Sequence, residues 1–469
     1  MSDFDFLVLG GGSAGYAAAS TAASLGLRVG LVEGAGELGG LCILRGCMPS
    51  KALIESANHL ADFRRAGEFG LEAGPAGFSI SKIYERKARH VAEFADYRAK
   101  QLESGRFELL RGWGAFVDPH TVEVRSADGT SRQVSARTIL IATGSRIKKV
   151  AVPGLEEVGY WTSDTVLATA RLPKSVIVLG GGATAVEFAH YFSAMGAKTT
   201  VIQRSPQLVK EMDADLAKVL TTALRQRGVS VHCNTALSRV ERTETGTKRV
   251  VYTQGGETRV AEAEEILYAL GREPLTAGMS LEKAGIDCTK GCPAAGLTQQ
   301  TNVPHIFAAG DVCGPYEVVH IAIAQAEVAA RNAVRLVKGD GRGLDEMDYR
   351  LRLFVIFTEP ELARVGMSEA ELQTEGIPYR VASYPFDDHG KSILMEEKLG
   401  FVKLLAGEDS DEILGAAVVG PHASELIHEL VVAMRFHATA GQLAAIPHYH
   451  PTLSEIWTYP AEELARGMP

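Results

Sequence analysis

The feature that most constrains this chain is a pattern that occurs twice. Residues 4–10 (FDFLVLG) are an apolar run ending on Gly10-Gly11-Gly12-Ser13-Ala14-Gly15. A small-residue helix follows, and a second apolar run from Arg28 to Val32 ends on Glu33. Strand, glycine turn, helix, strand and terminal acid make a dinucleotide-binding βαβ unit. Gly10, Gly12 and Gly15 supply the G-x-G-x-x-G spacing, with Ser13 at the helix start. Their missing side chains let backbone approach a pyrophosphate at a helix N-terminus. Glu33, 18 residues beyond Gly15, has the reach to accept hydrogen bonds from an adenosine ribose. The pattern returns with Val176–Leu179 as strand, Gly180-Gly181-Gly182-Ala183-Thr184-Ala185 as turn, and Val201 to Arg204 closing the second strand. Two units about 170 residues apart call for two dinucleotides.

Length and charge narrow the surroundings. A chain of 469 residues is expected to form about three domains, and 46 % hydrophobic residues suffice for several cores. Lys plus Arg is 48 against 57 Asp plus Glu, a net charge of −9 without a basic stripe, which argues against nucleic acid as a partner. No apolar run approaches the roughly 20 residues of a membrane span. The N-terminus enters a strand without a basic lead or a cleavage site, so the expectation is a cytoplasmic protein with no membrane partner. The buried strand 138–145 (TILIATGS) and Pro153-Gly154 mark the end of a first domain. Helical periodicity runs through 79–105, and residues 305–311 (HIFAAGD) form another strand ending on an acid. Phe401–Leu405 and Ile413–Val419 pattern as paired antiparallel strands, followed by an apolar helix over about 422–438.

The segment with chemistry is Gly39-Gly40-Leu41-Cys42-Ile43-Leu44-Arg45-Gly46-Cys47-Met48-Pro49-Ser50-Lys51. Two cysteines five apart, just after a dinucleotide unit, are able to close a small-loop disulfide at the start of a helix. A helix N-terminus and a nearby cation lower a thiol pKa, and Arg45 and Lys51 are both candidates for that cation. The bland alternative is an incidental or buried pair. The remaining cysteines, Cys233, Cys288, Cys292 and Cys313, lack informative neighbours. Cys288-x-x-x-Cys292 invites a metal or accessory redox reading, but no histidine or third thiol clusters beside it in sequence.

The cysteine segment does not stand alone. GGLCILRGCMPSK, the two glycine turns, ATGS at 142–145, ALGREP at 269–274, AAGD at 308–311, FTEPELARVG at 357–366 and HYHPTLSE at 448–455 occur in one order along nearly the whole chain. Together they resemble the flavoprotein pyridine nucleotide–disulfide oxidoreductases, the family of dihydrolipoamide dehydrogenase, glutathione reductase and mercuric reductase. The resemblance implies an α/β fold with two Rossmann-like dinucleotide-binding domains and a C-terminal α+β dimerisation domain. The expected division is FAD domain 1–150, NAD(P) domain 151–270, a central segment 271–345 returning to the FAD domain, and dimerisation domain 346–469. Gly10, Gly12, Ser13, Gly15 and Glu33 would hold the ADP half of FAD, and Asp311 its ribityl chain. Lys51 would sit beside the flavin ring and pair with Glu187. Gly40, Ala115, Thr143, Gly144, Gly271 and the helix start near His320 would add cofactor contacts. By the same resemblance Cys47 is the flavin-facing thiol, whose thiolate makes a charge-transfer contact, and Cys42 the interchange thiol that attacks substrate. His450 and Glu455 look like the acid–base pair, donated across an obligatory homodimer; His448 is assigned packing alone. A histidine near neutral pKa takes a proton from an attacking thiol and returns it to the leaving one.

In the second unit Gly180, Gly182 and Ala185 form the turn, with Ala185 replacing the third glycine. The strand ends Ile202-Gln203-Arg204-Ser205, with no acid for a ribose 2′-hydroxyl. Arg204 and Lys210 fall where NADPH-dependent members place cations for the 2′-phosphate. The expected second cofactor is therefore NADPH, with NADH as the alternative. Substrate is less constrained. Ser20 stands where glutathione reductases carry an arginine on the first helix. MPSK and HYHPTLSE look like dihydrolipoamide dehydrogenase, whereas CILRGC departs from that enzyme's usual core. The C-terminus lacks the vicinal cysteines of mercuric reductase. The expectation is NADPH-dependent reduction of a small disulfide through Cys42 and Cys47. The alternative is a dihydrolipoamide dehydrogenase that oxidises a protein-bound dithiol with NAD.

Overall fold

The computed structural model describes residues 2–72 and 74–466. The chain divides into two compact units: Met1–Ser50, Glu85–Lys149 and Gly271–Asp348 form one, and Lys51–Tyr84, Val150–Leu270 and Tyr349–Pro469 the other.

In the first unit, β1 (Phe4–Leu9), α1 (Ser13–Ser24) and β2 (Val29–Glu33) form the expected βαβ unit. The strands pair in parallel, Phe6 opposite Val29 and Leu9 opposite Val32. The parallel sheet runs Glu108–Arg111, β2, β1, Ser131–Ile141 and Ile306–Ala308. The strand Ser131–Ile141 is long enough to continue into an antiparallel meander with Thr121–Arg125 and Trp113–Asp118. It stops at Ile141, and Ala142 to Gly144 form the small-residue exit that the 138–145 segment calls for. The alanines on α1 (Ala18, Ala19 and Ala22) pack on Ala326, Ala329, Ala330 and Ala333 of the helix Val319–Val337. Small side chains on both faces let the two helices approach closely, so the strand carrying the glycine turn is held from one side by backbone-near contacts.

The cysteine segment folds as two short steps: α2 (Gly40–Arg45) carries Cys42, and α3 (Cys47–Arg64) begins on Cys47. The 79–105 periodicity becomes α4 (Ile80–Leu102).

In the second unit, the parallel sheet is ordered Ser230–His232, Lys198–Ile202, Ser175–Leu179, Glu265–Tyr268 and Trp161–Thr162. The second strand of the βαβ unit ends at Ile202. Gln203 and Arg204, expected at the strand end, lie just beyond it. The C-terminal part is a five-stranded antiparallel sheet in the order Leu353–Ile356, Glu361–Gly366, Ile413–Gly420, Phe401–Gly407 and Tyr379–Pro385. Helix Ala423–Arg435 covers it through Leu426, Ile427 and Leu430, which with Trp457 and Leu404 form one apolar core. Among the described residues no helix is long and apolar enough to cross a membrane.

Candidate active site

The first glycine turn is built for close approach. Gly10 has φ +110°, and a Cβ there would run into the Ala142 carbonyl. Gly12 caps α1, whose first turn carries no acid, and a Cβ on Gly12 would meet nothing within 4 Å. That open approach to a helix start suits an anionic pyrophosphate. The Glu33 carboxylate accepts hydrogen bonds from the backbone N–H of Gly11 (2.8 Å) and of Ala35 (2.7 Å), so its direction beside the turn is fixed. Gly40 begins α2 at φ +71°, and a Cβ there would lie 2.6 Å from Gly12 Cα. The cysteine helix is thus seated directly on the glycine turn.

The other positions expected from the sequence to contact FAD are distributed in this unit as follows. Asp311 Oδ2 accepts from Ser145 Oγ (2.6 Å), and Ser145 is in turn held by the Arg272 guanidinium at its hydroxyl and its carbonyl, both 2.8 Å. Gly271 accepts at its carbonyl from the Lys148 N–H (3.1 Å), and Gly144 from the Leu275 N–H (2.9 Å). The Thr143 hydroxyl lies 3.8 Å from the Met279 sulfur. Ala115 sits mid-strand opposite Glu123, and His320 is the second residue of the helix Val319–Val337. Glu317, just before that helix, has its carboxyl pushed up by burial and by the nearby Asp311 charge. Ser13 is the first residue of α1, and Gly15, one turn beyond Gly12, is so close to Gly10 that a Cβ would run into the Gly10 carbonyl. Open glycine turn, anchored terminal acid and braced Asp311 form a set of groups that fits FAD.

Cys42 is half-buried and Cys47 exposed. Both cations proposed for them from the sequence have carboxylate partners. Arg45 makes an exposed ion pair with Glu37 (2.8 Å), and Lys51 is engaged by Glu187. A cation within electrostatic reach of Cys42 is Arg98 of α4, which sequence reasoning missed. Its guanidinium lies 4.0 Å over the Tyr16 ring of α1, with Nε and Nη1 buried and without a hydrogen-bond acceptor among the described residues. Burial pulls its pKa down, opposed by Tyr16 and Cys42. Arg106 donates to the Tyr16 hydroxyl (2.9 Å) and to Ser20 Oγ (3.2 Å). The first helix, which carries Ser20 in place of an arginine, therefore has two arginines brought to it from elsewhere.

In the second unit Lys51 Nζ donates to both Glu187 oxygens, 3.0 and 2.8 Å, and sits 4.7 Å over the Phe357 ring. The Phe357 N–H donates to Glu187 Oε1 (3.1 Å), so the carboxylate is held from two sides. His450 Nδ1 is 3.0 Å from Glu455 Oε2; the imidazole is 78 % exposed, whereas Glu455 is buried on the turn Ser454–Trp457. Trp457, fully buried, ties that turn to helix Ala423–Arg435 through a hydrogen bond from Nε1 to the Leu426 carbonyl (3.1 Å). The geometry is that of a proton carrier held at its inner nitrogen with its outer edge exposed. His448 pins the preceding loop through Glu429 (2.7 Å) and the Ile446 carbonyl (2.9 Å).

The second glycine turn repeats the first in detail. Gly180 N–H donates to the Ile202 carbonyl as Gly10 N–H does to that of Val32, which makes Gln203 the counterpart of Glu33. Gly182 caps a helix, Ala183–Ala194, with no acid in its first turn, and a Cβ there would also meet nothing within 4 Å. Ala185 is fully buried in that helix. Arg204 and Lys210 are exposed, with Lys210 3.8 Å from Glu211.

Cys288 and Cys292 lie on a tight hairpin, Cys288–Thr289 pairing with Cys292–Pro293. Burial raises both thiol pKa values and pushes that of Cys313 up to about 12, the opposite of what a thiolate ligand or nucleophile needs. Among the described residues no group of three histidine, cysteine or acidic side chains is arranged to hold a metal ion.

Comparison with known proteins gives the family. Residues 4–326 match the family model described as pyridine nucleotide-disulphide oxidoreductase, and residues 354–461 match that family's dimerisation domain. The chain belongs to that family. Dihydrolipoyl dehydrogenase of Chlamydia muridarum is 36 % identical over 461 residues, covering 97 % of this chain and 95 % of the relative. The mitochondrial dihydrolipoyl dehydrogenase of Dictyostelium discoideum is 33 % identical over 458 residues, covering 96 % and 92 %. Among solved structures, LpdA of Mycobacterium tuberculosis superposes with a TM-score of 0.87 at 28 % identity, covering 98 % of this chain and 99 % of that one. The Cu(II) complex of the HOCl-induced flavoprotein disulfide reductase RclA of Escherichia coli gives 0.85 at 25 %, covering 99 % and 100 %. This oxidoreductase accordingly has the α/β fold of the flavoprotein disulfide reductases, with a dimerisation domain at its C-terminus.

Proposed function

We propose that this oxidoreductase is a homodimeric, NADPH-dependent reductase of a small disulfide, acting through Cys42 and Cys47. The observation that carries the nucleotide choice is the equivalence of Gln203 with Glu33. The second site offers a neutral amide where the first offers a carboxylate, with Arg204 and Lys210 exposed nearby. A carboxylate would repel a 2′-phosphate; cations attract it.

Gly10, Gly12, Glu33, Gly40 and Asp311 would hold FAD, and Lys51, fixed by Glu187, would stand at its ring. When bound, FAD passes two electrons from the nicotinamide to the Cys42–Cys47 disulfide. The reduced pair then acts on substrate. Cys42 thiolate attacks one sulfur of RSSR, forming a Cys42–SR mixed disulfide and expelling RS⁻, which takes a proton from His450 of the partner subunit. Cys47 thiolate then attacks Cys42 sulfur, re-forming the disulfide and expelling the second RS⁻, which takes up a proton from solvent. The sum is NADPH + H⁺ + RSSR → NADP⁺ + 2 RSH. Glu455, held at the inner nitrogen of the imidazole, leaves the outer nitrogen for the proton.

A second reading is favoured by the relatives named dihydrolipoyl dehydrogenase: the same parts run in reverse, oxidising a protein-bound dithiol with NAD. Rapid mixing of the yellow protein with NADPH and, separately, NADH separates the two. Fast bleaching by NADPH, a long-wavelength thiolate–flavin band and turnover with small disulfides are expected. Fast reduction by NADH alone, with brisk oxidation of dihydrolipoamide, would establish the second reading instead.

A further inference from the structure

Behind the His450–Glu455 pair lies a second histidine. His389 follows the turn Phe386–Asp388 and precedes the short helix Gly390–Leu394. Its ring is fully buried. Nδ1 is 2.8 Å from Ser392 Oγ, itself fully buried, and Nε2 faces Glu455 Oε1 at 3.5 Å. Nε2 has no other acceptor among the described residues. Tyr459 meets the ring edge-on, with centroids 6.3 Å apart. The two oxygens of Glu455 are thus divided between two imidazoles, His450 on Oε2 and His389 on Oε1.

Chemistry selects one protonation pattern. Burial, and secondarily the nearby His450, holds the His389 pKa below its ordinary value, against the pull of Glu455, so the ring is neutral at neutral pH and carries one N–H. Were that proton on Nδ1, the Nε2 lone pair would face the carboxylate oxygen with nothing between them. A buried acceptor facing a buried carboxylate is costly, whereas Ser392, a hydroxyl, donates or accepts equally well. The proton therefore belongs on Nε2, with the Ser392 hydroxyl donating to Nδ1. The 3.5 Å separation closes to a normal hydrogen bond with a shift of a few tenths of an ångström.

We propose that His389 is a positioning residue for the proton carrier: the carboxylate selects its Nε2–H tautomer, Ser392 supports it by donating to Nδ1, the Nε2–H anchors Glu455 Oε1, and the anchored carboxylate holds His450 Nδ1–H. This rests on the reading of His450 and Glu455 as the acid–base pair. Without the anchor, the Glu455 carboxylate is free to turn about its last torsion, and the imidazole loses both its orientation and its fixed tautomer. Outer partners of metal-binding imidazoles carry roughly 10- to 100-fold effects, and the same range is expected for this one.

The test compares His389→Leu, His389→Asn, Ser392→Ala and His450→Gln as flavin-loaded dimers. Each is reduced with NADPH and reoxidised in a single turnover by lipoamide and, separately, by a bis(nitrobenzoate) aromatic disulfide, with thermal melting as the fold control. The expected results are unchanged flavin reduction in the His389 and Ser392 variants and reoxidation slowed about 10- to 100-fold in His389→Leu. Asparagine, whose amide donates to Glu455 and accepts from Ser392, should restore the rate to within about threefold. Ser392→Ala should slow it severalfold, which keeps the test open even where leucine unfolds the site. A wild-type rate in His389→Leu or Ser392→Ala overturns the proposal, as does equal slowing by leucine and asparagine, which would mean that the side chain only fills space. If His450→Gln itself reoxidises at the wild-type rate, the acid–base reading falls and this proposal with it. Slow His450→Gln beside normal His389→Leu removes the proposal alone.

Discussion

The nucleotide preference is the expectation most directly exposed to measurement. The perturbation is Arg204→Met combined with Lys210→Met, with Gln203→Glu as the reciprocal change. Arg204 is exposed and Lys210 is 63 % exposed, with only a 3.8 Å contact to the equally exposed Glu211 competing for it. Little desolvation is therefore charged against either cation, and little of their field is already spent. Two unit charges 4 Å apart attract by about 1 kcal/mol in a water-like dielectric and about 4 kcal/mol at the value typical of protein surfaces. A charge-assisted hydrogen bond contributes about 1.5–3 kcal/mol net. Losing both cations should then weaken the NADPH transition state by about 3–5 kcal/mol, or roughly 150- to 5,000-fold in kcat/KM. NADH, which lacks the phosphate, should change by less than about threefold. Gln203→Glu should move the ratio the same way by putting a carboxylate where Glu33 stands in the first unit. Because the contacts are exposed, raising salt should weaken NADPH binding and leave NADH nearly unaffected. Ferricyanide as acceptor makes the assay independent of any disulfide. A wild-type enzyme that prefers NADH, or a double variant that loses both nucleotides equally, would refute the reasoning.

Three further outcomes are expected. Gly40→Ala adds a Cβ 2.6 Å from Gly12 Cα at a left-handed φ of +71°, so α2 must lift from the glycine turn, and equilibrium dialysis should show flavin affinity at least tenfold lower, on the order of the 1–2 kcal/mol of αL strain alone. His190 is fully buried against Asn58 (2.8 Å), and burial, with Arg227 adding to it, lowers its pKa to about 3 from 6.5. The stability this neutral form contributes is complete above pH 6.5 and is lost as pH falls from there toward 3, about 2 kcal/mol of it by pH 5; His190→Gln should flatten that part of a melting-temperature profile, and an unchanged slope would contradict the assignment. Arg98→Met removes the cation near Cys42, so iodoacetamide should alkylate the reduced holoenzyme roughly three- to tenfold more slowly at neutral pH, while Arg45→Met, whose partner is Glu37, should leave the rate unchanged.

What the sequence discloses and what it hides divide along physical lines. A glycine turn is a local demand: Gly10 at φ +110° and Gly180 at +118° tolerate no Cβ, so the requirement is written at the residue itself and the βαβ units are legible from spacing. Strand ends are less so, because they depend on where neighbours stop pairing; Lys198–Ile202 ends before Gln203, although the segment reads as a strand to Arg204. The partners of charged groups are hardest, because they are chosen across the fold. Arg45, three residues from Cys42, spends its charge on Glu37, while Arg98, 56 residues away, reaches the thiol's neighbourhood because α4 lays it over Tyr16. His389 has no motif around it; it acquires meaning only when the turn bearing Glu455 is fastened by Trp457 and the carboxylate arrives beside its ring. Lys51 and Glu187, 136 residues apart, carry no local signal of their pairing, which only the family resemblance implies. The backbone that positions a cofactor is thus readable from one sequence, whereas the second layer that orients the working side chains is a property of packing at long range. Substitutions in that layer should alter rates without disturbing a single recognisable motif, which is the behaviour expected of His389→Leu.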